Sequence, residues 1–208
     1  MTKTITSSIV FAFFAFSSCW AGPKVILETS EGNITIELND EKAPISTKNF
    51  LQYVDDEHYS NILFHRVING FMIQAGGFRV ADDGSVSRAQ VRDTIQNEAK
   101  NGLKNERGTL AMARTSDPHS AAAQFFINHK DNSNLDHPSF DGWGYAVFGK
   151  VIDGMDVVDK IAGVSTGIKM IQGQPMKDVP SENIVIKSAK RVTEEGEAEA
   201  TESSADEN

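Results

Sequence analysis

Cysteine is almost missing from the sequence, and its scarcity excludes several kinds of protein. Cys19 is the single cysteine among 208 residues, so no intramolecular disulfide can form. A Cys-x-x-Cys redox motif and a zinc site built from several cysteines are excluded for the same reason. The stability of the chain must therefore come from a hydrophobic core, which a domain of about 150–200 residues is large enough to bury.

Basic residues are also in short supply, and the acidic excess is unevenly distributed. The chain has 20 Lys and Arg against 29 Asp and Glu, a formal net charge of −9, which argues against a general nucleic-acid-binding protein with a basic face. Residues 194–208 hold seven of the acids and no base. Such a segment cannot bury enough apolar area to become ordered, so we predict a disordered acidic tail. Its alternative roles are to keep the protein soluble or to bind a cationic partner. Residues 22–193 keep 19 basic and 22 acidic residues, a charge of only −3.

No hydrophobic run in the sequence is long enough to cross a membrane. The run from Ile9 to Phe16 has eight residues, whereas a spanning helix needs roughly 20. Lys3 precedes this run, and Cys19 and Ala21 follow it with the spacing of a cleavage site. This pattern predicts a signal peptide over residues 1–21 and an exported, periplasmic protein. A buried N-terminal helix and a lipid anchor on Cys19 remain as alternatives.

Between these two ends, short apolar runs alternate with turn residues. Residues 24–38 predict a β-hairpin, and residues 44–54 and 154–162 predict helices from their apolar spacing. Further strands are predicted in sequence order at residues 62–68, 71–75, 109–113, 124–128, 145–152 and 183–187. Many short strands with two helices favour a closed barrel. Residues 78–107 show little periodicity and are predicted to form a long surface loop.

The motifs of common hydrolases and nucleotide-binding enzymes are absent. No pair of histidines has the spacing of a zinc-binding helix, and no Gly-x-Ser-x-Gly sequence is present. The sequence therefore indicates neither a metal nor a cofactor. What stands out is Arg66 inside an apolar run, with Gln74 in the next run and the Phe125–Phe126 pair in a third. These residues favour a shallow apolar pocket with one cationic donor, although an arginine on a strand is commonly a surface ion-pair partner.

Four segments then carry a resemblance to a known family. FHRVINGFMIQAGGF (64–78), GTLAMART (108–115), AAQFFIN (122–128) and GYAVFGKVIDGMDVVDKI (144–161) are similar to the cyclophilin family of peptidyl-prolyl cis-trans isomerases. The similarity extends over roughly residues 23–190 and is closest to the bacterial exported branch. It implies a mainly β fold, a closed eight-stranded antiparallel barrel capped by two α-helices.

The resemblance also implies which residues form the site. Arg66 matches the catalytic arginine, and Gln74 matches the glutamine that supports it and binds the substrate backbone. The other positions that match substrate-binding residues of the family are Phe71, Met72, Ala113, Arg114, Gln124, Phe126, Leu135 and Tyr145. Asn134 stands where the best-known eukaryotic members have tryptophan, and Tyr145 stands where they have histidine. The first difference argues against tight cyclosporin binding.

These observations lead to two functional hypotheses. The first is an isomerase that accelerates X-Pro bond rotation in exported proteins as they fold, with Arg66 stabilising the transition state without a covalent step. The second is a non-catalytic module of the same fold that binds proline-containing segments as a chaperone or scaffold. In both cases the partners are proline-containing polypeptides, and the family default is a monomer.

Overall fold

The structure is a computed structural model that describes residues 22–192. The predicted signal peptide, Cys19 and the acidic tail lie outside the described residues. The described chain has two helices, α1 (Pro44–Asp55) and α2 (Met155–Ala162). Its strands are β1 (Lys24–Thr29), β2 (Asn33–Leu38), β3 (Ile62–Leu63), β4 (Arg66–Ile68), β5 (Met72–Ala75), β6 (Phe78–Val80), β7 (Val86–Arg88), β8 (Thr109–Met112), β9 (Phe125–Asn128), β10 (Val147–Asp153), β11 (Thr166–Ile171), β12 (Gln174–Pro180) and β13 (Val185–Arg191).

The first hairpin forms because apolar residues alternate along both of its strands. Val25 and Leu27 on β1 and Ile34 and Ile36 on β2 are fully buried, while their neighbours face outward. The hydroxyl of Thr29 donates to the carbonyl of Gly32 across the turn at 2.6 Å. The predicted hairpin is therefore confirmed, and its inner face becomes one wall of the core.

One antiparallel sheet contains most of the strands. Hydrogen bonds join its eleven strands in the order β4-β5-β9-β8-β10-β2-β1-β13-β3-β6-β7. The mainly β class with two helices is confirmed, but the expected closed eight-stranded barrel does not match this strand count. The sheet instead curls back on itself, because β3 near one end and β4 at the other are separated only by Phe64 and His65.

The run at residues 62–68, predicted as one strand, is divided where its partners change. Before Phe64 it pairs with β13 and β6, and after His65 it pairs with β5. An apolar run shows that a segment is buried, but it carries no information about where the ladder partner changes. The sequence therefore predicted the extended segment and not the break in it.

Both predicted helices are present and lie within a residue of the expected bounds. Proline opens α1, where its missing N–H is harmless, and the helix buries Phe50, Leu51 and Val54. The ring of Phe50 lies 5.0 Å from Tyr59 and 5.4 Å from Phe125 in the core. No described helix is long and apolar enough to span a membrane.

Two parts of the chain differ from the prediction. The segment at residues 78–107 is largely irregular and exposed, as expected, but it contains β6, β7 and a short 3-10 turn at Ala99–Asn101. The hairpin of β11 and β12 was not predicted at all and forms a separate two-stranded sheet. Ile168 and Met170 are 67% exposed, so the apolar residues of β11 do not mark a buried face as those of β1 and β2 do.

The main sheet separates two apolar clusters. The larger cluster fills the space between the inner face and α1, and Phe125 of β9 belongs to it. The smaller cluster contains Phe126, the next residue of the same strand, together with Met72, Ala111, Leu135 and Val147. Because neighbouring residues of a strand point to opposite faces, β9 joins the core to the surface on which the candidate site lies.

Candidate active site

The smaller apolar cluster forms part of a surface cavity of about 400 Å³. All ten residues that the sequence singled out line this cavity: Arg66, Phe71, Met72, Gln74, Ala113, Arg114, Gln124, Phe126, Leu135 and Tyr145. They come from β4, β5, β9, the turn at Ser133–Leu135 and the residues beside β5, β8, β9 and β10. The fold thus collects residues that are up to 79 positions apart in the chain around one opening.

The floor of the cavity is apolar and rigidly packed. Met72 is 2% exposed and Phe126 is 4% exposed, and both project from the neighbouring strands β5 and β9. Leu135 is also buried, and the ring of Tyr145 meets Phe126 edge to face at 5.8 Å. A floor of this kind suits a small apolar ring, because each contact replaces water with hydrocarbon.

Arg66 lies at the rim of this floor with its side chain 43% exposed. It sits on β4 directly opposite Gln74 of β5 in the antiparallel ladder. Its Nε lies 3.9 Å from Oδ2 of Asp178 on β12. The guanidinium offers planar N–H donors to whatever occupies the cavity.

Gln74 and Gln124 form one polar edge of the cavity. Nε2 of Gln74 donates to Oε1 of Gln124 at 2.9 Å. Gly77 makes this possible, since a Cβ there would stand 2.8 Å from Cδ of Gln124. A Cβ on the adjacent Gly76, whose φ is +97°, would stand 2.3 Å from the carbonyl oxygen of Ala123. The two glycines therefore allow the chain around Gln124 to approach β5 closely.

Arg114 has a different environment from Arg66 although it lines the same cavity. Its side chain is 2% exposed, and its guanidinium donates to the carbonyls of Gly144 and Thr115 and to Asp141. It also lies over the ring of Tyr145 at 4.5 Å. The backbone hydrogen bond from Trp143, together with the contact from Arg114, lowers the pKa of Asp141. The side chain of Arg114 thus holds the wall of the cavity in place.

Four further residues line the cavity that sequence reasoning did not identify: His65, Phe78, Arg88 and Met176. His65 is 3% exposed, and among the described residues its Nδ1 has no hydrogen-bond partner. Burial lowers its pKa to about 4, so the ring is neutral at physiological pH. The position of His65 next to Arg66 in the sequence could have indicated that it lies at the site. Arg88 and Met176 come from β7 and β12, and nothing in the sequence indicated that they would line the cavity.

Trp143 does not take the place of the tryptophan that is absent at position 134. Its ring packs edge to face against His119 at 4.9 Å and lies 5.4 Å from the ammonium group of Lys100. It is not among the residues that line the cavity. Among the described residues, no group of three or more His, Cys, Asp or Glu side chains is arranged to hold a metal ion.

The curled β-sheet carries a cavity with an apolar floor, a polar edge and a cationic rim, which suits a small apolar side chain flanked by polar backbone. Comparison with known proteins agrees. The family model described as "Cyclophilin type peptidyl-prolyl cis-trans isomerase/CLD" matches residues 24–191. The chain belongs to this family, and its activity is the cis-trans isomerisation of peptidyl-prolyl bonds.

Bacterial relatives are similar over most of their own length. Peptidyl-prolyl cis-trans isomerase B of Escherichia coli (strain K12) is 53% identical over 166 residues, which are 79% of this chain and 96% of the relative. Peptidyl-prolyl cis-trans isomerase A of Dickeya dadantii is 48% identical over 195 residues, 91% of this chain and 98% of the relative. A crystal structure of a cyclophilin-type isomerase from Cryptosporidium parvum superimposes with a TM-score of 0.65 at 26% identity, covering 82% of this chain and 98% of that one.

Proposed function

We propose that Arg66 accelerates X-Pro rotation by binding the twisted amide more strongly than the planar one. Resonance holds the peptide bond planar with a barrier of about 18–20 kcal/mol, and uncatalysed rotation takes tens to hundreds of seconds. Reaching the millisecond range requires roughly 10⁴–10⁵-fold acceleration, or about 6 kcal/mol. No covalent intermediate is needed, because the reaction changes only a dihedral angle.

The guanidinium of Arg66 can recognise the transition state through the proline nitrogen. In the planar amide the nitrogen lone pair is delocalised into the carbonyl and accepts no hydrogen bond. When the bond twists, the lone pair becomes localised and can accept an N–H donor. A donor fixed at the rim of the cavity therefore stabilises the twisted form selectively, which lowers the barrier.

The rest of the cavity holds the two sides of the rotating bond. The floor formed by Phe71, Met72, Phe126 and Leu135 accepts the proline ring. Gln74, Gln124 and the backbone at Ala113 and Arg114 bind the flanking chain, while Tyr145 closes the wall. Immobilising one side of the bond while the other turns supplies part of the rate enhancement through orientation.

The observation that carries this proposal is the contrast between Arg66 and Arg114, two of the three arginines that line the cavity. The guanidinium of Arg114 is buried and its donors are engaged, whereas Arg66 is 43% exposed beside the apolar floor. A module that only binds proline segments needs the floor and the polar edge but no cationic donor at the rim. The exposed guanidinium therefore favours catalysis over the binding-only alternative.

The test compares Arg66→Lys and Arg66→Ala with the parent chain in a protease-coupled assay on a proline peptide. We expect kcat/KM to fall at least about 100-fold for Arg66→Ala, equivalent to about 2.7 kcal/mol. Arg66→Lys keeps the charge but loses the planar donors, so it should also lose most of its activity. Arg191→Lys on β13, where the arginine pairs with Asp55, is the matched control and should retain full activity. Normal turnover by a folded Arg66→Ala would rule out the mechanism.

We also propose that the substrates are proline-containing segments of exported proteins and that the chain acts as a monomer in the periplasm, without tight cyclosporin binding. The Lys3, Ile9–Phe16 and Ala21 pattern supports export. The intact mass of the protein purified from its native cell tests whether the predicted signal peptide is removed. A mature chain starting at Gly22 supports the proposal, and diacylation of Cys19 supports a lipid anchor instead.

A further inference from the structure

The unpredicted β11–β12 hairpin reaches the rim of the catalytic cavity. Met176 of β12 lines the cavity beside Arg66. The hairpin is held there by a third apolar cluster, in which its buried Ile171 and Val179 pack with Leu63 and Phe78 of the main sheet. The hairpin is thus anchored to strands that also form the site.

An irregularity in the hairpin presents one carboxylate to Arg66. Gly167 pairs with Val179 and Lys169 pairs with Met176, so two residues of β12, Lys177 and Asp178, lie opposite Ile168 alone. Asp178 has a φ of +60°, a left-handed conformation that aspartate and asparagine tolerate better than most residues. Extra residues of this kind redirect a side chain out of the regular alternation and are frequent beside active sites.

The redirected carboxylate contacts the inner nitrogen of the guanidinium. Oδ2 of Asp178 lies 3.9 Å from Nε of Arg66, and both side chains are 43% exposed. Because the contact is made through Nε, the two terminal nitrogens keep their donors for the substrate. An ion pair this exposed contributes little to folding stability. Its effect is to limit the rotamers that a long side chain would otherwise sample.

We propose that Asp178 is a positioning residue, which orients Arg66 so that its terminal N–H groups stay above the proline pocket. This inference rests on the role of Arg66 proposed above. A donor that acts only on the twisted amide affects kcat and leaves substrate binding unchanged. Loss of the carboxylate should therefore lower kcat and leave KM where it was.

The experiment uses Asp178→Asn, which keeps the size of the side chain and its tolerance of the left-handed backbone. We expect kcat to fall about 3–10-fold with KM unchanged within twofold and with the urea midpoint unchanged. Glu182→Gln, an exposed acid after the hairpin, removes the same charge and should change neither constant. The Nε–H resonance of Arg66 should also shift in the NMR spectrum of Asp178→Asn and stay in place in Glu182→Gln.

The double variant shows whether Asp178 acts through Arg66. In the Arg66→Ala background, Asp178→Asn should cause no further loss, since the group that it orients is gone. An equal further loss in that background would overturn the positioning role, as would an unchanged kcat or a rise in KM alone. A fully active Arg66→Ala single variant would instead disprove the proposed function itself, so the two failures are distinguishable.

Discussion

At the scale of single residues, burial decides what each polar group around the cavity can do. Arg114 satisfies its donors with Gly144, Thr115 and Asp141, so it supports the wall. Arg66 is exposed at the rim and can exchange its contacts for those of a substrate. Arg66 and Arg114 therefore have different roles because their surroundings differ, although their side chains are the same.

His65 gives a prediction about pH at this scale. Burial, together with the charge of Arg66, lowers its pKa in the folded protein to about 4 from 6.5. Below pH 6.5 the unfolded chain binds a proton that the folded chain rejects, so stability falls as the pH drops from 6.5 toward 4. We expect His65 to remove about 2 kcal/mol of unfolding free energy between pH 7 and pH 5.

Urea unfolding at the two pH values measures this effect. The parent chain should lose about 2 kcal/mol more than His65→Gln does over the interval. His65→Gln should still lose some unfolding free energy over this interval. His58 contributes to that remaining loss, because burial lowers its pKa as well. His119→Gln, at an exposed position, should behave as the parent does. Equal losses in the parent and in His65→Gln would show that His65 titrates alike in the folded and unfolded chains.

The sequence revealed those site residues that lie in compact motifs. Arg66, Gln74 and Phe126 occupy recognisable stretches on adjacent strands, and the structure brings them to one cavity as expected. Met176 lines the same cavity from a hairpin about 110 residues after Arg66 in the chain, and Asp178 of that hairpin contacts Arg66. Their approach depends on tertiary packing and on a local ladder irregularity, neither of which leaves a periodic trace in the sequence.

At the scale of elements, the long segment at residues 78–107 does more than cover the surface. Helix α1 begins after Ala43, which provides no side-chain cap. Glu98 from the long segment supplies the acceptors instead, receiving hydrogen bonds from the backbone N–H groups of Ile45 and Ser46 at 3.0 and 2.7 Å. The hydroxyl of Ser46 donates to the same carboxylate. A remote carboxylate thus replaces the local cap that a helix N-terminus needs.

Removing this remote cap should destabilise the protein without touching the cavity. We expect Glu98→Ala to lower the unfolding free energy by about 1–2 kcal/mol, because two backbone donors and the positive end of the helix lose their partner. Glu106→Ala, an exposed acid on the same segment, should change it by less than about 0.5 kcal/mol. Urea titration of both variants checks this, and equal losses would mean that the cap contributes nothing specific.

The predictability of the elements follows from how each one is buried. Strands β1 and β2 and both helices bury one face, so their apolar residues recur with a readable period. Strand β11 exposes the apolar Ile168 and Met170 and buries Ile171, so its apolar residues do not fall on one buried face. Strand β3 ends at Leu63 only because the sheet curls and the partner changes, which is a property of the assembled sheet.

At the scale of the whole molecule, the curled sheet keeps stability and binding on opposite faces. Most of the acidic excess belongs to neither face of the described sheet in sequence terms, since seven acids fall in residues 194–208, after the matched domain. The separation is sharpest on β9. Phe125 faces the large core with its ring 5.4 Å from Phe50 and 5.5 Å from Tyr59, and the adjacent Phe126 faces the cavity.

The same substitution at these two neighbouring positions should therefore affect mainly stability at Phe125 and mainly activity at Phe126. Phe125→Leu loses aromatic contacts and leaves a void in the core, so we expect the unfolding free energy to fall by about 1–2 kcal/mol with kcat/KM unchanged within about twofold. Phe126→Leu removes the ring that forms the pocket floor, and we expect kcat/KM to fall roughly 10-fold with a smaller loss of stability. Urea unfolding and the protease-coupled assay on both variants decide the matter. Parallel losses of stability and activity in the two variants would show that the faces of the sheet are not independent.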